Sequence, residues 1–274
     1  MASIPQAIRV RRKLVTPDQA TGGVRDIPEE TAIAFTYGSA TFAVMMATPD
    51  DVEDFALGFS LTEGIVENPS EISDIEVVWQ EQGIEARMTL ARARDDQLLS
   101  RRRRLAGPAG CGLCGIESLE AATLPARKIS ARLEISPATI FEALRELRRG
   151  QQLNEATHAV HAAGFWSITE NRLVALREDV GRHNALDKLA GALARADIGA
   201  ASGFIVLSSR LSIELVQKAA MIGCPVLVAV SAPTNFALRA AETAGMTLIA
   251  VAREDSFEIF THPQRVPTAV VDEC

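Results

Sequence analysis

From about Thr157 onward, short apolar runs alternate with amphipathic segments, and this alternation constrains the fold more than any other feature of the sequence. The runs have the length of buried strands, and the segments between them repeat apolar residues at helical spacing. Strands joined by crossover helices predict an α/β fold with a largely parallel, buried sheet. The predicted strands are His158–Phe165, Arg172–Arg177, Phe204–Ser208, Pro225–Val230, Met246–Ala252 and Phe257–Phe260, and the predicted helices are Arg182–Ala196, Ile213–Ile222 and Asn235–Ala244.

The first half of the chain has the pattern of a smaller α+β domain. Two apolar runs separated by Gly38-Ser39 predict a hairpin. The segment Thr48-Pro49-Asp50-Asp51 predicts a helix start, because Thr48 can cap the helix and Pro49 suits its first turn. The predicted elements of this half are strands over residues 31–37, 40–46, 74–79 and 84–90, and helices that begin at Thr48, Gly115 and Ser136.

These patterns divide the chain into three parts. Residues 1–26 are basic at first and then rich in glycine, threonine and aspartate, which predicts a loosely held, flexible tail. Residues 27–130 form the predicted N-terminal α+β domain, which carries the glycine-rich segment 107–115. Residues 131–274 form the predicted C-terminal domain, so the boundary is expected near residue 130.

Charge and hydropathy exclude several classes of protein. A net charge of −7 argues against nucleic acid as the main partner, since such proteins usually present a basic face. No run of about 18 apolar residues predicts a membrane span, and the N-terminus has no apolar run typical of a secretion signal. Four cysteines without an export signal indicate a reducing compartment with working thiols, and we expect a cytoplasmic protein.

Polar and cationic residues follow the predicted strands of the second half. In open α/β sheets, ligands bind beyond the carboxyl ends of the strands. Hydroxyls, arginines and helix N-termini suit an anionic or phosphorylated ligand. The candidate binding residues are Arg182, His183, Ser209, Arg210 and Arg253. Residues at these positions also serve simply to cap helices, and none of these predicted strands is followed by the Gly-x-Gly-x-x-Gly fingerprint of a nicotinamide dinucleotide site.

Two cysteines, Cys111 and Cys114, lie in the segment Gly107-Pro-Ala-Gly-Cys-Gly-Leu-Cys-Gly115. They have four interpretations: inert buried thiols, two ligands of a zinc site, a thioredoxin-like redox pair, or a low-pKa thiol that handles sulfur. The segment offers little apolar burial, and the remaining cysteines and histidines show no zinc spacing. The arginine run 101–104 is not the strand that precedes a thioredoxin-like pair. A predicted helix start and nearby arginines favour the thiolate, and therefore sulfur handling.

The sequence resembles the formate dehydrogenase accessory sulfurtransferase family of the FdhD type. The matching segments cover the chain from about residue 29 to residue 265 in the order of the family, so the resemblance is specific. The cysteine motif shows no departure from the family pattern. The matching segments are Met45–Gly64, Gly110–Gly115, Glu178–Lys188, Ser208–Ala219 and Thr261–Arg265.

The resemblance implies a sulfurtransferase that takes sulfur from a cysteine desulfurase as a persulfide. It implies delivery of that sulfur to a molybdenum or tungsten bis(guanylyl molybdopterin) cofactor for a formate dehydrogenase. By position, Cys111 matches the persulfide-carrying cysteine and Cys114 its partner in the motif. The family also implies a cytidine-deaminase-like C-terminal domain and a homodimer. The segment that matches the cofactor-binding region comprises Ala250, Val251, Ala252, Arg253, Glu254 and Asp255.

Two other functions stay open at this point. A non-catalytic chaperone would bind the guanylyl cofactor and deliver it without carrying sulfur. A zinc-dependent deaminase is suggested only by the implied fold, and its His-x-Glu and Pro-Cys-x-x-Cys signatures are absent. We therefore expect no tightly held metal. Cys224 precedes a predicted buried strand and is interpreted as a core residue.

Overall fold

The computed structural model describes residues 4–91 and 126–268, and the chain begins there with a β-hairpin. Strands β1 (Ala7–Val15) and β2 (Ala20–Pro28) pair along their whole length in antiparallel register. The turn between them is closed by Thr16, whose backbone N–H donates to Gln19 O at 2.8 Å. The prediction of a flexible tail over residues 1–26 is therefore wrong for most of that segment. Pro17 favours the second position of a turn, and this signal was missed.

A four-stranded sheet follows, with the order β4-β3-β6-β5. Only the β3–β6 pair is parallel, and the other two pairs are antiparallel. Helix α1 packs on this sheet through Phe55 and Phe59, which contact the ring of Phe35. The hairpin and the second strand pair are confirmed. The elements are β3 (Thr31–Tyr37), β4 (Ala40–Ala47), α1 (Val52–Thr62), β5 (Ile72–Gln80) and β6 (Gly83–Leu90).

The start of α1 differs from the prediction. The helix begins at Val52 after Asp51, which has a positive φ of 52° and makes no side-chain cap hydrogen bond. Thr48 lies before the helix and contacts the second half of the chain instead. Its backbone N–H donates to Asp179 Oδ2 at 3.0 Å, and its hydroxyl accepts from the N–H of Val180 at 3.2 Å. Thr48 therefore joins two parts of the fold rather than capping a helix.

The second half of the described chain forms a six-stranded sheet with the order β12-β11-β10-β9-β7-β8. Its strands are β7 (His161–Ser167), β8 (Arg172–Asp179), β9 (Gly203–Leu207), β10 (Val226–Ala229), β11 (Thr247–Ala250) and β12 (Glu258–Ile259). The helices are α2 (Pro137–Gly150), α3 (Gln152–Thr157), α4 (Arg182–Arg195), α5 (Ile213–Met221) and α6 (Asn235–Ala244). Short 3₁₀ turns cover Pro69–Glu71, Ala200–Ser202 and Pro263–Arg265.

The six-stranded sheet is mixed, so the prediction of a largely parallel sheet is wrong. Strands β9, β10 and β11 are parallel, whereas β7, β8 and β12 run antiparallel to their neighbours. A short turn joins β7 to β8, and parallel strands would need a crossover of a dozen or more residues. The α/β class is confirmed, and the cytidine-deaminase-like description stays a prediction.

Helices cover both faces of the six-stranded sheet. The larger apolar cluster packs α4, α5 and α6 on one face, and α2 covers the other face through Ile140, Ala143 and Leu147. Helix α1 crosses α4 and so connects the two sheets. The crossing is close at two glycines: a Cβ atom on Gly58 would lie 1.7 Å from Asp187 O, and one on Gly191 would lie 1.8 Å from Asp54 O. Within the described residues, no helix has the length and apolar character needed to cross a membrane.

Candidate functional site at the sheet edge

The loops after β9, β10 and β11 meet at one edge of the six-stranded sheet. Hydrogen bonds between backbone groups join the loops: Leu211 N–H donates to Ala232 O at 3.3 Å, and Val251 N–H donates to Ser231 O at 3.2 Å. Because β7 is antiparallel to β9, its first residue, His161, lies at the same edge. In β8, the last residue, Asp179, is paired with His161. This edge therefore gathers the strand ends that the sequence singled out.

Cationic side chains converge on His161. Burial lowers the pKa of His161, and the positive charges of Arg182 and Arg210 lower it further. Arg182 is the first residue of α4, whose cap residue, Gly181, has no side chain to bind the free N–H groups of the helix. A helix N-terminus and two guanidinium groups at one place favour an anion. Sequence reasoning considered His161 only as a zinc ligand, although its register with Asp179 puts it in the site.

The interior of the site contains buried polar atoms without hydrogen-bond partners among the described residues. Four of the six such side-chain atoms lie here: Arg182 Nε, His183 Nε2, Ser212 Oγ and Glu214 Oε2. His183 Nε2 lies 3.9 Å from Glu214 Oε2, outside hydrogen-bond range. Since an unsatisfied buried polar group costs about 1–3 kcal/mol, this arrangement suits a polar ligand or water.

His183 is neutral at physiological pH. Burial lowers its pKa to about 4, and the nearby charges of Arg182 and Lys218 act in the same direction. A neutral imidazole has one donor and one acceptor nitrogen, so His183 can either donate to or accept from a ligand. Ser212 and Glu214 were not predicted as site residues. Their signal was their position at the start of the helix in the matching segment 208–219.

Ser209 and Arg210 have different environments. Ser209 is buried, and its hydroxyl donates to the carbonyl oxygen of Arg210 at 3.1 Å. Arg210 is exposed at the rim of the site. Ser209 therefore shapes the loop, while the guanidinium of Arg210 is accessible to a ligand.

The segment Ala250–Asp255 divides into buried and exposed residues. Ala250 and Ala252 are buried in the core, and Val251 between them has a positive φ of 52°, which is unfavourable for a β-branched residue. Arg253 Nη1 donates to Val230 O at 2.6 Å, so its side chain lies along the same edge. Glu254 is paired with Arg148, and Asp255 accepts from the hydroxyl of Ser256. Of this segment, Arg253 has the chemistry to bind an anion, and the strained turn at Val251 directs the chain towards it.

Several residues of the matching segment 178–188 hold the fold together rather than line the site. Lys188 Nζ lies 2.7 Å from Asp179 Oδ2, and both side chains are fully buried. Lys188 also donates to Thr48 O at 2.9 Å, and Asn184 donates to Met46 O at 2.9 Å. These contacts attach the four-stranded sheet to the base of the site. The segment therefore has two uses, with Arg182 and His183 in the site and its other polar residues in the core.

A second buried ion pair lies further along α4. Lys218 Nζ is 3.0 Å from both carboxylate oxygens of Asp187 and 2.6 Å from Glu63 Oε1. Burial opposes the charge on Lys218, but the carboxylates of Asp187 and Glu63 outweigh it and raise the pKa of the ammonium. Thr62 donates to Asp187 as well. The end of α1 is thus fixed to α4 and α5 by charged hydrogen bonds.

The predicted sulfur-handling residues, Cys111 and Cys114, lie outside the described residues, as do the arginine run 101–104 and the helix predicted from Gly115. Their arrangement relative to the sheet edge stays a prediction. Cys224 is fully buried, and burial raises the pKa of its thiol to about 12, which confirms its interpretation as a core residue. Among residues 4–91 and 126–268, no group of three or more His, Cys, Asp or Glu side chains is arranged to hold a metal ion.

Comparisons with known proteins agree over nearly the whole chain. The model of the FdhD/NarQ family matches residues 28–267. A protein from Agrobacterium fabrum named sulfur carrier protein FdhD is 51% identical over 259 residues, which cover 94% of this chain and 95% of that protein. A protein of the same name from Bordetella petrii is 44% identical over 240 residues, covering 88% of this chain and 86% of that protein.

A solved structure has the same fold. The crystal structure of a protein from Desulfotalea psychrophila, described as a formate dehydrogenase accessory protein, superposes with a TM-score of 0.75. The match covers 96% of this chain and 100% of that chain, at 24% sequence identity. At this level of identity the likeness concerns the fold.

Proposed function

The chain belongs to the FdhD/NarQ family, and on that premise we propose that it is a sulfur carrier that serves a formate dehydrogenase. The observation that carries this proposal is its 51% identity to a protein named sulfur carrier protein FdhD across 94% of the chain. We propose further that it is a cytoplasmic sulfurtransferase, that a cysteine desulfurase is the sulfur donor, and that the protein acts as a homodimer. The acceptor is a molybdenum or tungsten bis(guanylyl molybdopterin) cofactor, which is the substrate of the transfer.

The proposed sulfur transfer begins at Cys111. Its thiolate attacks the outer sulfur of the persulfide on the donor, the sulfur–sulfur bond of the donor breaks, and the donor cysteine leaves as a thiolate. The product is a persulfide on Cys111, with no net oxidation or reduction. Cys114 then assists release by attacking the inner sulfur of that persulfide, which forms a Cys111–Cys114 disulfide and expels hydrosulfide to the cofactor. A cellular dithiol reduces the disulfide before the next cycle.

The edge of the six-stranded sheet supports the proposed cofactor site. Arg182, Arg210 and Arg253 lie along this edge, and guanidinium groups suit the phosphates of a guanylyl cofactor. The partly exposed carboxylate of Glu214, whose buried Oε2 has no partner in the described structure, can accept from the N1–H and the exocyclic amino group of guanine. Ser212 and His183 can supply a donor for the guanine O6. The proposed site thus has an outer part for phosphate and an inner part for the base.

The sulfur-carrier proposal is tested by loading the protein with sulfur. Incubation with a cysteine desulfurase and cysteine is expected to add at least one sulfur atom, seen by intact-protein mass spectrometry and removed by a reductant. The Cys111→Ala variant is expected to carry no transferable sulfur, whereas the matched control Cys224→Ala, which removes a buried thiol, loads normally. A wild-type protein that gains no sulfur would contradict the proposal.

The same variant separates the carrier from a cofactor chaperone. If Cys111→Ala still binds GDP and still activates the dehydrogenase in cells, the protein delivers the cofactor without carrying sulfur. The base-reading role of Glu214 is tested by calorimetric titration with GDP and IDP, since inosine lacks the amino group of guanine. Glu214→Gln is expected to bind GDP at least tenfold more weakly and to lose its preference over IDP, while Glu155→Gln, an exposed control on α3, behaves like the wild type. Equal affinities for GDP in all three proteins would refute this role.

A further inference from the structure

The β1–β2 hairpin, residues 7–28, projects from the rest of the protein and is called the arm below. Every residue from Arg11 to Arg25 is exposed, so about two thirds of the arm contacts solvent on both faces. Its base is attached by a hydrogen bond from Gln6 to Asp50 and by one from Arg25 Nη2 to Thr157 O at 3.2 Å. A two-stranded hairpin alone is only marginally stable in water, which favours a partner for the outer part.

The arm has the opposite charge to the rest of the chain. It contains five basic residues and two acidic residues, a net charge of +3, whereas the whole chain has −7 and the remainder therefore −10. The basic residues are Arg9, Arg11, Arg12, Lys13 and Arg25, and the acidic residues are Asp18 and Asp26. Such complementarity draws the arm towards the body of another copy of this chain.

One face of the arm combines apolar and basic side chains. Arg11 is paired with Val24, and Lys13 and Val15 follow on the same face because side chains alternate along a strand. Val15 is 69% exposed and Val24 56%. Among the described residues, no third strand pairs with either edge of the arm, and long exposed strand edges readily pair with another chain.

A matching apolar surface lies on the outer face of the four-stranded sheet, which we call the receiving face. Its edge strand, β4, exposes Val44 by 45% and Met46 by 47%. Beside Val44 is a shallow groove of about 280 Å³, floored by Ala32 and Ala34 and bordered by Glu85. Small side chains on the floor let another backbone approach closely, and the carboxylate lies at the border of the groove. Among the described residues, these two β4 side chains and the arm supply six of the eight large exposed apolar side chains.

This inference rests on the homodimer of the proposed function and concerns its interface: we propose that the arm of one copy binds the receiving face of a second copy, and that the reciprocal contact closes the twofold dimer. In a twofold interface both chains contribute an arm and a receiving face, so the arm–face contact forms twice and its binding free energy counts twice. The arm supplies 22 residues, which fits the roughly 20–30 residues per side of a stable interface. The apolar tip and the net charge of −10 on the body favour this partner over nucleic acid.

The test is the oligomeric state of the full-length protein, measured by light scattering after size exclusion. The wild type is expected to have the mass of two chains. Val15→Glu on the arm and Val44→Lys on the receiving face are each expected to lower the measured mass to that of one chain. Each variant should keep the far-UV circular dichroism spectrum of the wild type. Phe260→Lys, which alters an exposed apolar residue elsewhere, is the control and stays a dimer.

Mixing the two variants provides a sharper measurement. In a mixed pair, the unaltered arm of the Val44→Lys chain meets the unaltered receiving face of the Val15→Glu chain. At the other contact, the introduced carboxylate of the arm meets the introduced ammonium of the receiving face. The mixture is therefore expected to regain the mass of two chains. The proposal is overturned if the wild type is a monomer, if the dimer survives Val15→Glu and Val44→Lys, or if the mixture stays monomeric. Arm-dependent binding of a DNA duplex by a monomeric wild type would also overturn it.

Discussion

The close crossing of α1 and α4 makes Gly58→Ala a decisive substitution. In a solvent-exposed helix, replacing glycine by alanine stabilises the fold by about 0.5–1 kcal/mol. Here the new Cβ would lie 1.7 Å from Asp187 O, and real Cβ contacts are essentially never shorter than 3.0 Å, so the helices must separate by at least 1.3 Å, the difference of these two distances. Local packing therefore opposes helix propensity.

The expected loss of stability in Gly58→Ala depends on the interactions that the separation of α1 and α4 disturbs. Overpacking a close interface costs about 1–3 kcal/mol. The displaced residue, Asp187, is paired with Lys218, and breaking a buried ion pair fully costs about 3–5 kcal/mol. With partial loss of that pair and the propensity gain subtracted, we expect the free energy of unfolding to fall by about 3 kcal/mol.

Urea denaturation followed by circular dichroism measures this loss. Gly199→Ala is the matched control, because its φ of −72° suits alanine and its Cβ would meet nothing within 4 Å. Gly191→Ala is expected to resemble Gly58→Ala, and the double variant should lose less than the sum, since one separation relieves both clashes. A Gly58→Ala protein as stable as the wild type would refute the reasoning.

Two further predictions concern buried charge. Because the pKa of His183 is about 4 when folded and near 6.5 when unfolded, the unfolded chain takes up the proton first as the pH falls. Wild-type stability should therefore drop by about 2 kcal/mol more than that of His183→Gln between pH 7 and pH 5, as measured by denaturation at both pH values, and equal drops would contradict the assignment. Lys188→Met leaves Asp179 buried without its ion-pair partner and should cost about 3–5 kcal/mol, whereas the exposed Lys128→Met should cost almost nothing in the same assay.

Local signals in the sequence predicted the elements of the fold well. Helix α6 has the predicted bounds because the hydroxyl of Thr234 caps its start and Gly245, at a φ of 76°, ends it. Both features depend only on neighbouring residues. The mixed sheet and the arm were missed because strand direction and pairing depend on which turn connects the strands, and the turn after Thr16 lacks glycine at its centre.

The candidate site was predicted in part. Arg182, His183, Ser209, Arg210 and Arg253 do lie at one sheet edge, since parallel strands end together. Glu214 was missed because a helix start alone does not single out a site residue, and only the folded structure brings its carboxylate to within 3.9 Å of His183. The roles of Asp179 and Lys188 in the core were also missed, because their partners at Met46 and Thr48 lie more than a hundred residues away in the sequence.

These long-range contacts also order events during synthesis. Hydrogen bonds that fix Thr48, Thr62 and Glu63 to the second half span 131, 125 and 155 residues. At about 5–20 residues per second, a ribosome needs roughly 6–31 s to deliver the partner of each group. For most of that interval α4, the helix that α1 crosses in the folded protein, is not complete. The first half of the nascent chain therefore lacks these contacts until Lys218 has left the ribosome. Only then can α4 and α5 pack against α1.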